Sequence, residues 1–117
     1  MSTLKKITRV LKALADENRI RILYLLSERE DLCVCEIREV IGLSQPTISS
    51  HLRILENSDL ATYSKDGKWV NYSISSELDK RISQMLNNVF SIIEFDEIVK
   101  KDRITVNKIN RKNLCKS

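Results

Sequence analysis

The chain has 117 residues, of which 42% are apolar and 31% charged, which is enough for one domain with a modest core. It contains only two Gly and one Pro, which excludes collagen-like and low-complexity classes and favours helices. No apolar run approaches the roughly 18 residues that a membrane helix needs, and charged side chains interrupt the N-terminal stretch, so we expect a cytoplasmic protein with no membrane partner.

The net charge of +4 is concentrated at the C-terminus. Residues 1–99 carry 13 Lys and Arg against 15 Asp and Glu, a net charge of −2. Residues 100–117 carry 7 Lys and Arg against Asp102 alone, a net charge of +6. We therefore expect a folded domain over residues 1–99 and a basic C-terminal tail over 100–117 that carries Cys115.

Helical periodicity dominates the first half of the chain. A first helix is predicted by apolar residues at helical spacing, namely Leu4, Ile7, Leu11 and Leu14. Asp16 has the character of an N-cap, and a second, mostly buried helix follows from Arg19 to Ser27.

Two further helices are predicted around a short turn. The third runs from about Cys35 to Ile41 and ends at Gly42, a candidate left-handed C-cap. Ser44 is the predicted N-cap of a fourth helix, from about Gln45 to Asn57, with a proline in its first turn.

A change of period from residue 60 predicts a β-hairpin. Residues 60–64 and 69–74 are rich in β-forming residues, and Asp66-Gly67 between them is a type I′ turn signal. The predicted register sets Lys65 opposite Lys68, Tyr63 opposite Val70 and Ala61 opposite Tyr72, with the last two pairs on the face that packs on the core.

A long amphipathic helix is predicted from Glu77 to about Val99. Its length of roughly 34 Å exceeds what one small core covers. We expect a homodimer in which the first and last helices form a twofold interface. The alternative is one long helix that wraps its own core.

Two helices joined by a glycine-containing turn and followed by a hairpin indicate a mainly α, winged helix-turn-helix fold. The outward polar groups of the second helix and the hairpin tip are candidate contacts to double-stranded DNA: Ser44, Gln45, Thr47, Ser49, Ser50, His51, Arg53, Lys65 and Lys68. The region is nearly neutral, so a protein-interaction module of the same fold is the alternative. No paired catalytic constellation or phosphate loop is present in the sequence, which argues against an enzyme.

Cys33 and Cys35 flank Val34 at the start of the third helix. On a helix, positions i and i+2 lie about 200° apart, so both sulfurs can reach one thiophilic ion only if the backbone there is extended or distorted. Because the third helix begins here, we expect ion binding to pull its first turn out of shape and disturb the DNA-reading surface. Cys115 is the remaining thiol and could complete a three-sulfur site. The alternatives are small buried side chains or a pair of redox-active thiols.

Four segments resemble the ArsR/SmtB family of metal-sensing repressors: residues 14–23, 32–37, 44–52 and 67–72. The resemblance implies a dimeric winged-helix repressor with no cofactor in its DNA-bound state, which leaves its operator when an inducing ion binds. The chain is most similar to the arsenite- and antimonite-responsive branch, which implies As(III) or Sb(III) as inducer. That branch has a third cysteine beside the pair, where this chain has Arg38 nearby, so Cys115 substitutes by elimination.

Other branches of the family fit the sequence less well. A cadmium- or lead-responsive branch shares a similar cysteine string but adds N-terminal cysteines, which residues 1–32 lack. The zinc, nickel and cobalt branches use histidines on the last helix, and this chain has only His51.

Overall fold

The computed structural model describes residues 2–110, which form six helices and three strands. In chain order these are α1 (Thr3–Leu14), α2 (Glu17–Glu28), β1 (Leu32–Cys33), α3 (Val34–Ile41), α4 (Gln45–Asn57), β2 (Ala61–Asp66), β3 (Trp69–Ile74), α5 (Lys80–Ile93) and α6 (Glu97–Lys108). Within the described range, no helix is long and apolar enough to cross a membrane.

The helix boundaries follow capping chemistry. The Asp16 carboxylate accepts hydrogen bonds from the backbone N–H groups of Asn18 and Arg19, at 2.9 and 3.0 Å, and so begins α2. Ser44 begins α4, and Gly42 ends α3 in the left-handed conformation, with φ of +82°. These three predicted caps are confirmed.

The hydrophobic core is centred on α2. Residues 22–26 of this helix are all buried, and α3, α4 and the base of the hairpin pack around them. Leu86 and Phe90 of α5 and Val106 of α6 close the core on its remaining sides. The core therefore holds α3 and α4 in a fixed relation to the hairpin.

The sheet has three strands rather than two, in the order β1-β3-β2. β1 was not predicted, because two residues are too few to show an alternating pattern. It pairs antiparallel with β3 and sets Leu32 opposite Tyr72 and Cys33 opposite Asn71. The string that carries the cysteine pair is thereby joined to the wing.

The predicted hairpin register is wrong by two residues. Asp66 pairs with Trp69, and Lys65 pairs with Val70 rather than with Lys68. Gly67 and Lys68 form the loop, and only Gly67 has a positive φ, of +62°, as a type II′ turn requires at its first position.

A slip of two residues keeps each side chain on its predicted face. Tyr63 now lies opposite Tyr72, and Ala61 lies opposite Ile74. The core covers only the base of this face: Ala61 is buried and Tyr72 packs on the core, but Tyr63 is 54% exposed because the hairpin extends beyond the core.

The long helix predicted from Glu77 to Val99 is two helices. Asp96 caps a new helix by accepting hydrogen bonds from the N–H groups of Ile98 and Val99, at 2.9 and 3.3 Å. The expected boundary at residue 99 therefore falls inside α6, and residues 100–108 are helical rather than part of a tail. Cys115 lies outside the described residues.

An ion pair and the core hold α6 in place. The guanidinium of Arg21 donates from Nε and Nη2 to the buried carboxylate of Asp102, at 2.8 and 2.9 Å. This interaction raises the pKa of Arg21. Val106, one turn further on, is fully buried.

Candidate nucleic-acid interface and thiol site

The second helix of the helix-turn-helix, α4, presents most of the predicted DNA contacts to solvent. Apolar side chains face the core from its inner side, namely Ile48, Leu52 and Leu55. The outer side is exposed and polar, with Ser44, Gln45, Thr47, Ser50 and Arg53. Ser49 is half-buried at the edge of this face. The helix thus has a continuous surface of hydrogen-bonding groups such as major-groove recognition uses.

Ser44 and Thr47 form a local cap at the start of α4. The Ser44 hydroxyl oxygen accepts from the Thr47 N–H at 3.4 Å, and the two hydroxyl oxygens lie 2.9 Å apart. The exposed N-terminus of this helix carries the positive end of its dipole, which suits a phosphate.

His51 is turned toward α2. It is half-buried, and its Nδ1 lies 3.3 Å from Nη1 of Arg19. Arg19 also donates from Nε to the Ala13 carbonyl, at 2.7 Å. The arginine therefore ties α4 to the junction of α1 and α2, a positioning role that sequence reasoning missed.

The charge around Arg19 also affects Asp16. Burial raises the pKa of Asp16, but the backbone hydrogen bonds from Arg19 and Asn18 and the positive charge of Arg19 outweigh burial and leave this pKa below its usual value. Asp16 therefore stays ionised and caps α2 beside the base of the recognition helix.

The hairpin forms the wing and carries both predicted lysines at its tip. Lys65 and Lys68 are exposed, and Lys68 Nζ lies 5.2 Å from the centre of the Trp69 ring. A lysine at this position is placed to reach the DNA backbone beside the groove that α4 would occupy.

The two cysteine sulfurs at the start of α3 meet without distorting that helix. Cys33 is the last residue of β1 and the N-cap of α3, with extended backbone angles of −86° and 166°. Its Sγ lies 3.4 Å from Sγ of Cys35, far beyond the roughly 2.05 Å of a disulfide between them. Only Cys35 is on the helix, and the extended backbone at Cys33 turns its sulfur toward that of Cys35. The two sulfurs therefore come together without the expected distortion of the first turn.

The buried carboxylate of Glu36 holds the backbone of Cys33 in this arrangement. Glu36 is 1% exposed and accepts a hydrogen bond from the Cys33 N–H at 3.0 Å. Its other oxygen lies 3.8 Å from Nη2 of Arg29. Nη1 of Arg29 donates to the carbonyls of Val106 and Ile109, at 2.7 and 3.2 Å. The cysteine pair is thus linked to the C-terminal end of α6.

A second buried polar residue, Asn71, lies on the wing strand β3. It is 6% exposed, and its Oδ1 has no hydrogen-bond partner among the described residues. Because Asn71 is the register partner of Cys33, the two side chains leave the sheet on the same face. Sequence reasoning missed Asn71 because its burial depends on β1.

Within residues 2–110, no three His, Cys, Asp or Glu side chains are grouped so as to hold a metal ion. The described residues contain two of the three sulfurs of the predicted site, and Cys115 lies outside them.

The fold and the exposed face of α4 together define a winged helix-turn-helix protein of the DNA-binding class. A family model described as bacterial regulatory protein, arsR family, matches residues 16–63. The "Cadmium resistance transcriptional regulatory protein CadC homolog" of Staphylococcus aureus is 40% identical over 72% of this chain and 67% of its own length. The "Arsenical resistance operon repressor" of Escherichia coli K12 is 40% identical over 69% of each chain. The chain belongs to the arsR family of bacterial regulatory proteins.

Solved structures support the same assignment. HlyU from Vibrio cholerae superposes with a TM-score of 0.67 at 31% identity, over 79% of this chain and 97% of that one. The homodimeric winged helix-turn-helix DNA-binding domain of Mb0332 from Mycobacterium bovis does so with a TM-score of 0.66 at 28% identity, over 80% and 84%. The chain is a DNA-binding transcriptional regulator and not an enzyme, as the sequence predicted.

Proposed function

We propose that this protein is a metalloid-responsive transcriptional repressor. It binds operator DNA as a homodimer and is released when As(III) or Sb(III) binds the thiolates of Cys33, Cys35 and Cys115. The observation that carries the proposal is the 3.4 Å separation of the Cys33 and Cys35 sulfurs at the start of α3. Relatives named for arsenical resistance in Escherichia coli and Bacillus subtilis support the choice of ion.

The sulfur pair suits a soft ion. Two sulfurs on one ion lie no more than about 4.6 Å apart, twice a metal–sulfur bond of about 2.3 Å. The observed separation lies within that limit, so the pair needs little rearrangement to bind. Thiolates prefer soft ions over the hard cations that oxygen ligands hold.

DNA binding is assigned to α4 and the wing. Gln45 and Arg53 are the proposed base contacts, since Gln pairs with adenine and Arg with guanine. The other proposed contacts position the protein on phosphates or at the groove edge: Ser44, Thr47, Ser49, Ser50, His51, Lys65 and Lys68. In the homodimer, the two recognition helices would read half-sites about one helical turn apart.

Ion binding is coupled to DNA binding through elements on both sides of the pair. Cys35 belongs to α3, which leads directly into α4, and Cys33 belongs to β1, which pairs with the wing strand β3. A displacement of either sulfur on ion binding therefore shifts a DNA-contacting element. Complete release, from 1:99 to 99:1, requires about 5.5 kcal/mol of differential affinity, shared by two sites in a dimer.

The test is operator affinity with and without arsenite, on a duplex selected in vitro for tight binding to the ion-free protein. We expect arsenite to weaken binding by the wild type at least 100-fold, and to leave Cys33→Ser and Cys35→Ser within about threefold of their ion-free affinity. Val34→Ser, which alters the residue between the two sulfurs, is the matched control and should respond like the wild type. Normal release by either cysteine variant would contradict the proposal.

A redox-responsive repressor is the second candidate, and the sulfur separation favours it too. Peroxide would oxidise the two thiols to a disulfide, with both thiol protons and the peroxide oxygens leaving as two water molecules. Thiol titration and operator affinity after peroxide, compared with arsenite, separate the two functions. Release by peroxide but not by arsenite would replace the metalloid proposal with this one.

A cadmium- or lead-responsive repressor is a variant of the first proposal. The CadC homolog among the relatives favours it. Titration of the same operator complex with Cd(II) and Pb(II) distinguishes these ions. Release at lower concentrations of either ion than of arsenite would reassign the inducer.

A further inference from the structure

The Asn71 side chain is an unexplained polar group beside the cysteine pair. It is 94% buried, and its Oδ1 has no donor within the described part of the chain. A buried acceptor without a donor lowers stability, and an apolar side chain would fill the same place on a strand without that cost. A donor supplied by a ligand is a physical reason for an oxygen at this position.

The sheet register places the Asn71 side chain on the same face as that of Cys33. Asn71 lies directly opposite Cys33 in the antiparallel pair of β1 and β3. The Cβ atoms of such partners are about 4.5–5.5 Å apart, and both side chains point to the same face. The Cys33 sulfur in turn lies 3.4 Å from that of Cys35. A ligand held by both sulfurs would therefore lie within reach of the Asn71 amide.

We propose that Asn71 Oδ1 accepts a hydrogen bond from the hydroxyl group that remains on As(III) after Cys33 and Cys35 have bound. Arsenite in neutral solution is As(OH)₃. The step requires both Cys33 and Cys35 in the thiol form. Each thiol then replaces one hydroxyl: one As–O bond breaks, one As–S bond forms, and the hydroxyl leaves as water with the thiol proton. The product has two As–S bonds and one As–OH group, which donates to Asn71.

This inference rests on the proposed function and makes Asn71 a residue that recognises the two-sulfur intermediate. In that intermediate it favours trivalent metalloids that retain a hydroxyl over soft ions that carry none. Since Asn71 is part of the wing strand, the hydrogen bond joins the ion in this intermediate to a DNA-contacting element. Binding of a third sulfur would release the hydroxyl, so the state recognised by Asn71 precedes closure by Cys115.

The experiment compares two ligands on the full chain carrying Cys115→Ser, in which two sulfurs remain. Arsenite bound to two sulfurs keeps one hydroxyl, whereas methylarsonous acid, CH₃As(OH)₂, loses both and keeps only its methyl group. We expect Asn71→Leu to weaken arsenite binding about five- to tenfold, the effect of one lost hydrogen bond, and to leave methylarsonous acid binding within twofold. Binding is measured by calorimetric titration.

Two further variants keep the test decisive. Asn71→Val, a good strand former, should reproduce the effect of Asn71→Leu if the latter folds poorly, with folding checked by circular dichroism. Asn87→Leu makes the same chemical change at an exposed position of α5 and should alter neither affinity. Equal loss of both ligands, or loss of neither, overturns the role of Asn71. Failure of both ligands to bind Cys115→Ser overturns the two-sulfur state that Asn71 is proposed to recognise, whereas failure of arsenite to bind the wild type overturns the proposed function itself.

Discussion

Cys33 shows how one residue at an element boundary determines the geometry of a site. On a continuous helix its side chain would point away from that of Cys35. As the N-cap of α3 it has extended backbone angles, and the two sulfurs converge. The two sulfurs therefore converge without an ion, and under the proposed function ion binding would act by displacing elements rather than by unwinding α3.

Lys65 and Lys68 allow a residue-scale test of the wing. If each contacts a phosphate, replacing either by Ala should reduce the slope of log affinity against log salt concentration by about 1, with equal loss on specific and non-specific duplexes. The measurement is fluorescence anisotropy across a salt series. Lys101→Ala, exposed on α6, is the control and should leave the slope unchanged. An unchanged slope in both wing variants would exclude the wing from the interface.

The sequence predicts the site only in part. The cysteine spacing and the polar face of α4 are local patterns. The structure places Cys35 on the predicted third helix and the polar face on the predicted fourth helix, but Cys33 lies on the unpredicted strand β1. Asn71, Glu36 and Arg29 become significant only through contacts across the fold. The burial of Asn71 depends on the two-residue strand β1, and the contacts of Arg29 depend on the helical course of residues 97–108. Neither element has a local signal in the sequence.

At the scale of elements, α6 joins the C-terminal segment to the domain. Asp102 and Val106 are buried against α2, and Arg29 binds the last carbonyls of α6 while facing Glu36. Apolar periodicity predicted a single long helix because the apolar stripe of this segment continues across residues 94–96. The Asp96 cap ends that continuity, and no periodic pattern reports a cap inside an amphipathic run.

The Arg21–Asp102 ion pair provides the element-scale prediction. Asp102→Asn should lower the free energy of unfolding by about 2 kcal/mol, because it leaves a partly buried guanidinium without its anion. Urea denaturation at one fixed protein concentration measures this change. Glu97→Gln, in an exposed pair with Lys100 on the same helix, should change stability by less than about 0.5 kcal/mol. Equal effects of the two substitutions would mean that α6 is not anchored through Asp102.

At the scale of the whole molecule, exposed apolar side chains mark the predicted dimer interface. Leu4 and Leu11 of α1 are 75% and 51% exposed, and Ile92 of α5 is 80% exposed. Because the predicted last helix is broken at residues 94–96, we expect its interface contact on α5, where Ile92 is more exposed than Ile98 or Ile104 of α6. The winged helix-turn-helix domain of Mb0332, which this chain resembles in fold, is itself homodimeric.

Introducing a negative charge on this apolar surface tests the dimer. Leu11→Glu and Ile92→Glu should each yield a monomer in sedimentation equilibrium, because a buried carboxylate is costly at an apolar interface. Operator affinity should fall about 100-fold or more, because the two half-site contacts are no longer tethered to each other. Ile104→Glu, at a 56% exposed position of α6, should remain dimeric. Monomers from Ile104→Glu alone would place the interface on α6.

We propose that the converging sulfurs of Cys33 and Cys35 capture the inducing ion. Arsenic-edge X-ray absorption of the arsenite-loaded protein measures the atoms bound to arsenic directly. We predict three sulfur neighbours in the wild type and two sulfurs with one oxygen in Cys115→Ser. A first shell of oxygen alone in the wild type, or a sulfur shell that survives replacement of both Cys33 and Cys35, would contradict the account.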